Sequence, residues 1–208
     1  MTTRERMLLE SKVWMLEKQT IDKHYFKNLS RHIKPNVLWI DSSDNLVAVA
    51  ELTNTDPGEI LVHRNLATLV RSDDISLMAS LEHAIGRSRI EYIIVCGYSN
   101  CTGVREVISG NDMKPHVKKW LEELREMYHH QAPLMAGLSS HQKEKRLCEI
   151  NIQQQIINLS NMDIVQQAWK DGRNLSLLGW YFDLQKGAIQ EIFSMKTQDL
   201  LFQVAQVT

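Results

Sequence analysis

Residues 36–45 read NVLWIDSSDN: the apolar run Val37 to Ile40 gives way at once to a polar tip, Asp41-Ser42-Ser43-Asp44-Asn45. A short apolar run ending in polar residues predicts a buried strand that opens into a loop. The layout recurs twice. Ile60-Leu61-Val62 follows a Pro57-Gly58 turn and delivers His63-Arg64-Asn65, and Tyr92 to Cys96 ends at Gly97 with Tyr98-Ser99-Asn100-Cys101 beyond. Helical spacing fills the intervals. Leu77, Met78, Leu81, Ala84 and Ile85 predict a helix over 76–86 that Gly86 closes. Further helices are expected at 114–130, from Trp120, Leu121, Leu124, Met127 and Tyr128, and at 140–160, from Leu147, Ile150, Ile156 and Leu159. A last strand is expected from Leu175 to Phe182. Upstream, residues 5–18 place Met7, Leu8, Trp14 and Met15 near helical spacing, an amphipathic helix that needs something to lie against, such as another subunit. A short helix with Tyr25, Phe26 and Leu29 follows and stops at Pro35.

Alternating strands and helices predict an α/β domain with a mainly parallel sheet. In such sheets ligands gather beyond the carboxyl ends of the strands, where all three polar tips fall. No repeat, low-complexity tract or linker interrupts the chain, so one domain is expected over residues 1–208, a helical arm (1–34) followed by an α/β core (35–208). With 24 Lys and Arg against 25 Asp and Glu, nothing in the charge balance advertises nucleic acid or a membrane surface. No apolar stretch approaches a membrane span and the first residues lack a signal-peptide core, which makes the cytoplasm the expected location. Three scattered cysteines, Cys96, Cys101 and Cys148, are expected to be reduced.

The stretches LWIDSSDNLVAVAELTNTDPGEILVHRNLATLV, SLMASLEHAIGRSRIEYIIVCGYSNCTGV and LCEINIQQQIINL, with VQQAWKDGRNLSLLGWYFDLQKG, resemble the bacterial β-carbonic anhydrases in order from about Trp14 to Ile192. The resemblance implies a parallel core extended by an antiparallel strand. It also implies an N-terminal arm that wraps a partner subunit in a homo-dimer or homo-tetramer. The family's enzymes hold zinc with Cys-x-Asp-x-Arg after the first strand and His-x-x-Cys after the later one. On this chain those motifs become Ser42-Ser43-Asp44-Asn45-Leu46 and Tyr98-Ser99-Asn100-Cys101. Ser42 stands where a thiolate is expected, Tyr98 where an imidazole is expected and Leu46 where the aspartate's arginine partner is expected. Cys101 and Asp44 remain, as relics or in an altered role. Ile33 falls where the family has a glutamine near substrate.

Protein zinc sites are built from Cys thiolate, His nitrogen or carboxylate oxygen, usually three of them where the metal is catalytic. A serine alcohol is neutral at pH 7, and a tyrosine phenol with a reference pKa of about 10 must lose a proton to ligate. The sequence reading therefore expects no cofactor and no metal, with Ser42, Tyr98 and Cys101 as a degenerate site, and a binding, regulatory or assembly role without CO2 hydration. Its alternatives are an altered small-molecule chemistry on Cys101 and Asp44, and a carbonate dehydratase with a displaced zinc-ligand set to which His63 contributes. Further readings attach to single residues. Cys101, beside a turn that opens a helix, is either a low-pKa nucleophile or inert. Asp44 without an arginine is expected to have a raised pKa. Asp41 and Asp44 are either a shared cation site or solvated carboxylates. Trp39 and Arg64 match two of the three residues of a bicarbonate pocket found in some bacterial members, which offers a small-anion site here, but Phe182 takes the place of its tyrosine. His129-His130, at a helix end, is read as exposed rather than metal-binding.

Overall fold

A computed structural model describes residues 1–29 and 35–196. The first strand, β1 (Val37–Ser42), lies at the interior of a five-stranded sheet and is buried from Leu38 to its end. A nearly continuous apolar run suits that place, since a strand with neighbours on both sides in a parallel sheet is covered on both faces. In chain order the remaining strands are β2 (Ile60–Asn65), β3 (Tyr92–Tyr98), β4 (Ser176–Asp183) and β5 (Ala188–Met195). Their spatial order is β2-β1-β3-β4-β5, parallel except for the β4–β5 pair. The register aligns the polar tips. Ser42 stands beside Asn65, and Asp41 stands between Arg64 and Cys96.

The helices are α1 (Thr3–Ile21), α2 (Tyr25–Leu29), α3 (Val49–Thr53), α4 (Ile75–Leu81), α5 (Thr102–Ser109), α6 (Pro115–Trp120), α7 (Glu122–Gln131), α8 (Ser140–Ser160) and α9 (Asp163–Lys170). One core cluster joins Leu38, Ile40, Ile93, Val95 and Leu177 of the sheet to α4, α9 and the end of α8. A second joins Trp39, Ile94, Cys96 and Tyr98 to α5, α7 and the first half of α8. α8 lies very close to the sheet at two glycines. A Cβ on Gly97 would stand 2.6 Å from Cys148 Sγ, and one on Gly179 would stand 2.7 Å from Ile152 Cγ2, so nothing larger than glycine fits at either place without movement.

α1 begins with a capping box, Thr2 and Glu5 each bonding the other's backbone N–H, yet buries none of its residues. Met7, Leu8, Leu9, Trp14 and Leu16 are all exposed, and Trp14 packs edge-on against Tyr25 and Phe26 of α2 at 6.4 and 5.5 Å. The expected helix over 114–130 is divided. At Leu121 the backbone leaves the helical region (φ −88°, ψ 11°) while its side chain is fully buried, and α6 is tied separately by Trp120 Nε1, which donates to the Leu66 carbonyl at 2.8 Å. The expected helix over 76–86 starts at Asp74, whose carboxylate caps Ser76 and Leu77. It widens into a π-helical turn over Glu82–Ser88 that runs through Gly86 and ends at Arg89 with φ 54°. Ile33 lies outside the described residues. α3, α9 and β5 were not marked by spacing alone; β5 entered only through the resemblance. Among the described residues no helix is long and apolar enough to cross a membrane.

Candidate active site at the ends of the parallel strands

The chain brings Ser42, Asp44, Tyr98 and Cys101 together. Ser42 ends β1 fully buried, donates its hydroxyl to Asp44 Oδ1 and accepts the Ala67 N–H at 3.1 Å. Its Oγ lies 3.9 Å from Cys101 Sγ. Asp44 Oδ2 accepts the Thr102 N–H at 2.8 Å, and Tyr98 also bonds this carboxylate. Burial works to raise the Asp44 pKa, but the bonds from Ser42, Thr102 and Tyr98 outweigh it and hold the group below its ordinary value. The expectation of a raised pKa is therefore corrected. The lost arginine partner has been replaced by hydrogen-bond donors, two of them the hydroxyls at the positions where the family has ligands, while Leu46 points into solvent, 85% exposed.

Cys101 caps the start of α5, but the helix N-terminus does not decide its chemistry. Burial pushes the thiol up to about 11; the Val104 N–H opposes it, neighbouring Asp44 adds to it, and Ser42 and the Gly103 N–H oppose it more weakly. This works against the low-pKa nucleophile. Tyr98 is raised above its ordinary value, first by burial and then by Cys101 and Asp44, so it stays a neutral donor.

The loop after β2 completes the wall around Ser42. Ala67 and Thr68 both adopt positive φ (65° and 57°), a costly choice for residues with a Cβ, and buried amides hold them there. Asn65 bonds both the N–H and the carbonyl of Leu69, at 2.8 and 2.7 Å. Asn151 Nδ2 donates to the Ala67 carbonyl at 2.9 Å, Gln155 Oε1 accepts the Val70 N–H at 2.8 Å, and Gln155 Nε2 donates to Asn151 Oδ1 at 2.9 Å. Sequence reasoning missed Asn151 and Gln155. The signal was present in α8, where both fall on the stripe of Leu147, Cys148, Ile152, Ile156 and Leu159, polar side chains on a core face.

Asp41 is not placed to share a cation with Asp44. Its buried carboxylate is paired with Arg64, Oδ2 to Nη2 at 2.7 Å, and Arg64 Nη2 also donates to the Val47 carbonyl at 3.3 Å. Trp39, on β1, is buried edge-on against Trp180 with ring centroids 5.5 Å apart, and its indole N–H has no partner among the described residues. His63 faces Asp74, Nε2 to Oδ2 at 3.7 Å, with its pKa lowered by burial despite that carboxylate. His129 and His130 end α7 exposed. Among the described residues no three His, Cys, Asp or Glu side chains lie close enough together to hold a metal ion.

A family model for carbonic anhydrase matches residues 37–189. A carbonic anhydrase of Emericella nidulans is 29% identical over 191 residues, covering 91% of this chain and 83% of the relative. One from Pseudomonas aeruginosa is 30% identical over 178 residues, covering 80% and 77%. The solved structure of a tetrameric β-carbonic anhydrase from Sordaria macrospora superposes with a TM-score of 0.89 at 27% identity, covering 93% of this chain and 98% of that one. These matches overturn the expectation that no cofactor is involved: β-carbonic anhydrases are zinc enzymes, so zinc is the metal against which the site is measured. As arranged, Asp44 and Cys101 provide two of the donor types zinc takes, and the hydroxyls of Ser42 and Tyr98 do not complete a set of three. Matched across its four parallel strands and superposing over nearly its whole length, the chain belongs to the β-carbonic anhydrase family.

Proposed function

We propose that this protein acts on the carbon dioxide–bicarbonate pair in the space between the ends of β1 and β3, with a donor set displaced from the family's usual one. The observation that carries this reading is the convergence of Asp44, Cys101, Ser42 and Tyr98 at that point, on a scaffold that superposes on a β-carbonic anhydrase. Asp44, held ionised, is the fixed hydrogen-bond acceptor of the site. Ser42 and Tyr98, held neutral, are its donors. Their role is to orient that carboxylate, each giving it its single hydroxyl hydrogen. No step through a metal follows from this arrangement. The same reading takes the chain as one domain, located in the cytoplasm and working as a homo-oligomer, with the exposed apolar residues of α1 directed at a second copy.

Stopped-flow CO2 hydration by the purified protein, with elemental analysis of the same sample, tests the reaction. Expected is activity above buffer that Asp44→Asn and Cys101→Ala each reduce at least about tenfold, a loss of about 1.4 kcal/mol in transition-state stabilisation. A rate equal to buffer in protein supplied with equimolar zinc overturns it.

A further inference from the structure

Ala67 and Asp44 bridge the same two elements. The Asp44 carboxylate accepts from Ser42, which ends β1, and from the Thr102 N–H, which opens α5. Ala67 donates its N–H to Ser42 Oγ at 3.1 Å and lays its methyl against Gly103 in the first turn of α5, where a Cβ on the glycine would stand 2.8 Å from it. Both contacts are made from a left-handed backbone (φ 65°, ψ 21°), which an L side chain does not hold unaided. Trp120 and Asn65 fasten the flanking Leu66 and Leu69. The Ala67 carbonyl itself takes two donors, Thr68 Oγ1 at 2.6 Å and Asn151 Nδ2 at 2.9 Å. The Thr68 hydroxyl sits on the next residue and turns with the peptide. Asn151 sits on α8, is buried, and is bonded in turn by Gln155, so of the two it is the donor that ties this peptide to the core.

We propose that Asn151 is a positioning residue of the site: by fixing the Ala67 carbonyl from α8, it aims the Ala67 N–H at Ser42, seats the Ala67 methyl on Gly103, and so sets the spacing of the β1 end and the α5 start across which Asp44 is bound. As a role in the reaction this rests on the function proposed above. The geometry is read without substrate, so a protein inactive toward CO2 does not overturn it, and a failed geometry does not overturn the reaction.

Amide hydrogen exchange of the folded full chain, followed by NMR, is the readout. In Asn151→Leu, close to isosteric, the Ala67 amide is expected to lose about tenfold more protection than the Ile94 and Val95 amides inside β3, and the Thr102 and Gly103 resonances are expected to shift. Glycine carries no Cβ penalty in the left-handed region, so adding Ala67→Gly is expected to return protection at position 67 to within about threefold of native. Thr102 and Gly103 are expected to stay displaced in that double variant, because the methyl seated on α5 is gone. Gly103→Ala, with Asn151 intact, is expected to weaken protection at Ala67 by crowding the same methyl. Should Asn151→Leu fail to fold, Asn151→Ser, too short to reach the Ala67 carbonyl, takes its place with the same expectations. A folded Asn151 variant whose loss at Ala67 is no greater than at Ile94 and Val95 overturns the proposal. So does a loss at Ala67 that Ala67→Gly leaves unrepaired.

Discussion

The Ser42 hydroxyl donates to the Asp44 carboxylate two residues further on, so the residue where the family places a metal thiolate here serves as a donor to its neighbouring acid. With the bonds from Thr102 and Tyr98, this depresses the folded-state pKa of Asp44 below 3.8 despite burial. A carboxylate depressed on folding contributes stability that is present above its unfolded pKa and lost as pH falls through the folded value. Asp44→Asn is therefore expected to flatten the acid limb of the stability curve below about pH 4. Ser42→Ala is expected to raise the Asp44 pKa toward its ordinary value. It also strips the buried Ala67 N–H of its acceptor, at a cost of about 1–3 kcal/mol. Carboxyl-carbon NMR titration with urea unfolding at each pH checks both; an unmoved Asp44 pKa in Ser42→Ala contradicts the network.

Cys101 is expected to resist alkylation. Moving a thiol from 9.0 to about 11 lowers its thiolate fraction near neutral pH by about a hundredfold, and burial blocks access as well. Iodoacetamide at pH 8 is expected to leave Cys96, Cys101 and Cys148 unlabelled in native protein and to label all three in denaturant, read by intact mass. Rapid labelling of Cys101 alone would revive the nucleophile reading.

The mismatch between scaffold and donor set gives a gain-of-binding test. Ser42 and Tyr98 already face Asp44 and Cys101, so Ser42→Cys with Tyr98→His replaces two hydroxyls by a Cys and a His donor, which make three with Cys101. The double variant is expected to hold about one zinc per chain after dialysis, above the native occupancy. Cobalt substitution is expected to add a thiolate charge-transfer band. A double variant no better occupied than the native chain means that the ends of β1 and β3 are spaced unlike those of the family's metal sites.

Much of this architecture was legible because apolar runs and their polar ends coincide. Val37–Ile40 and Tyr92–Cys96 form interior strands, and the tips at Ser42 and Cys101 meet as their placement after parallel strands implies. The motif comparison found the replaced residues but not what replaced their interactions. That Asp44 gains its donors from Ser42 and Tyr98, and that Asp41 takes Arg64, depends on loop conformation, which no periodicity encodes. Hydrophobic spacing equally failed to show the break at Leu121 and the π-turn after Leu81, because tertiary bonds and burial set them. Reading Asp44 as an acid deprived of its partner counted only the charge that was lost.

The run Gln153-Gln154-Gln155 in α8 separates local composition from position. Gln155 is fully buried, accepts the Val70 N–H and an Asn158 amide hydrogen, and donates to Asn151, which in turn holds the Ala67 carbonyl. Gln155→Leu is close to isosteric, yet leaves the Val70 N–H and Asn151 Oδ1 without these partners in a buried setting. The expected loss is about 2–3 kcal/mol, from two unsatisfied groups, one next to the strained Ala67-Thr68 pair and one on the α8 amide that holds it. The same change at half-buried Gln153 is expected to stay within about 0.5 kcal/mol. Urea unfolding at constant m-value measures both. Hydrogen exchange localises the damage, with the Ala67 and Val70 amides expected to lose protection in Gln155→Leu alone. Because the Ala67 N–H bonds Ser42, that loosening is expected to reach the active site as well, seen as an upward shift of the Asp44 pKa. Equal effects at positions 153 and 155 would show that the loop holds its shape without the amide network.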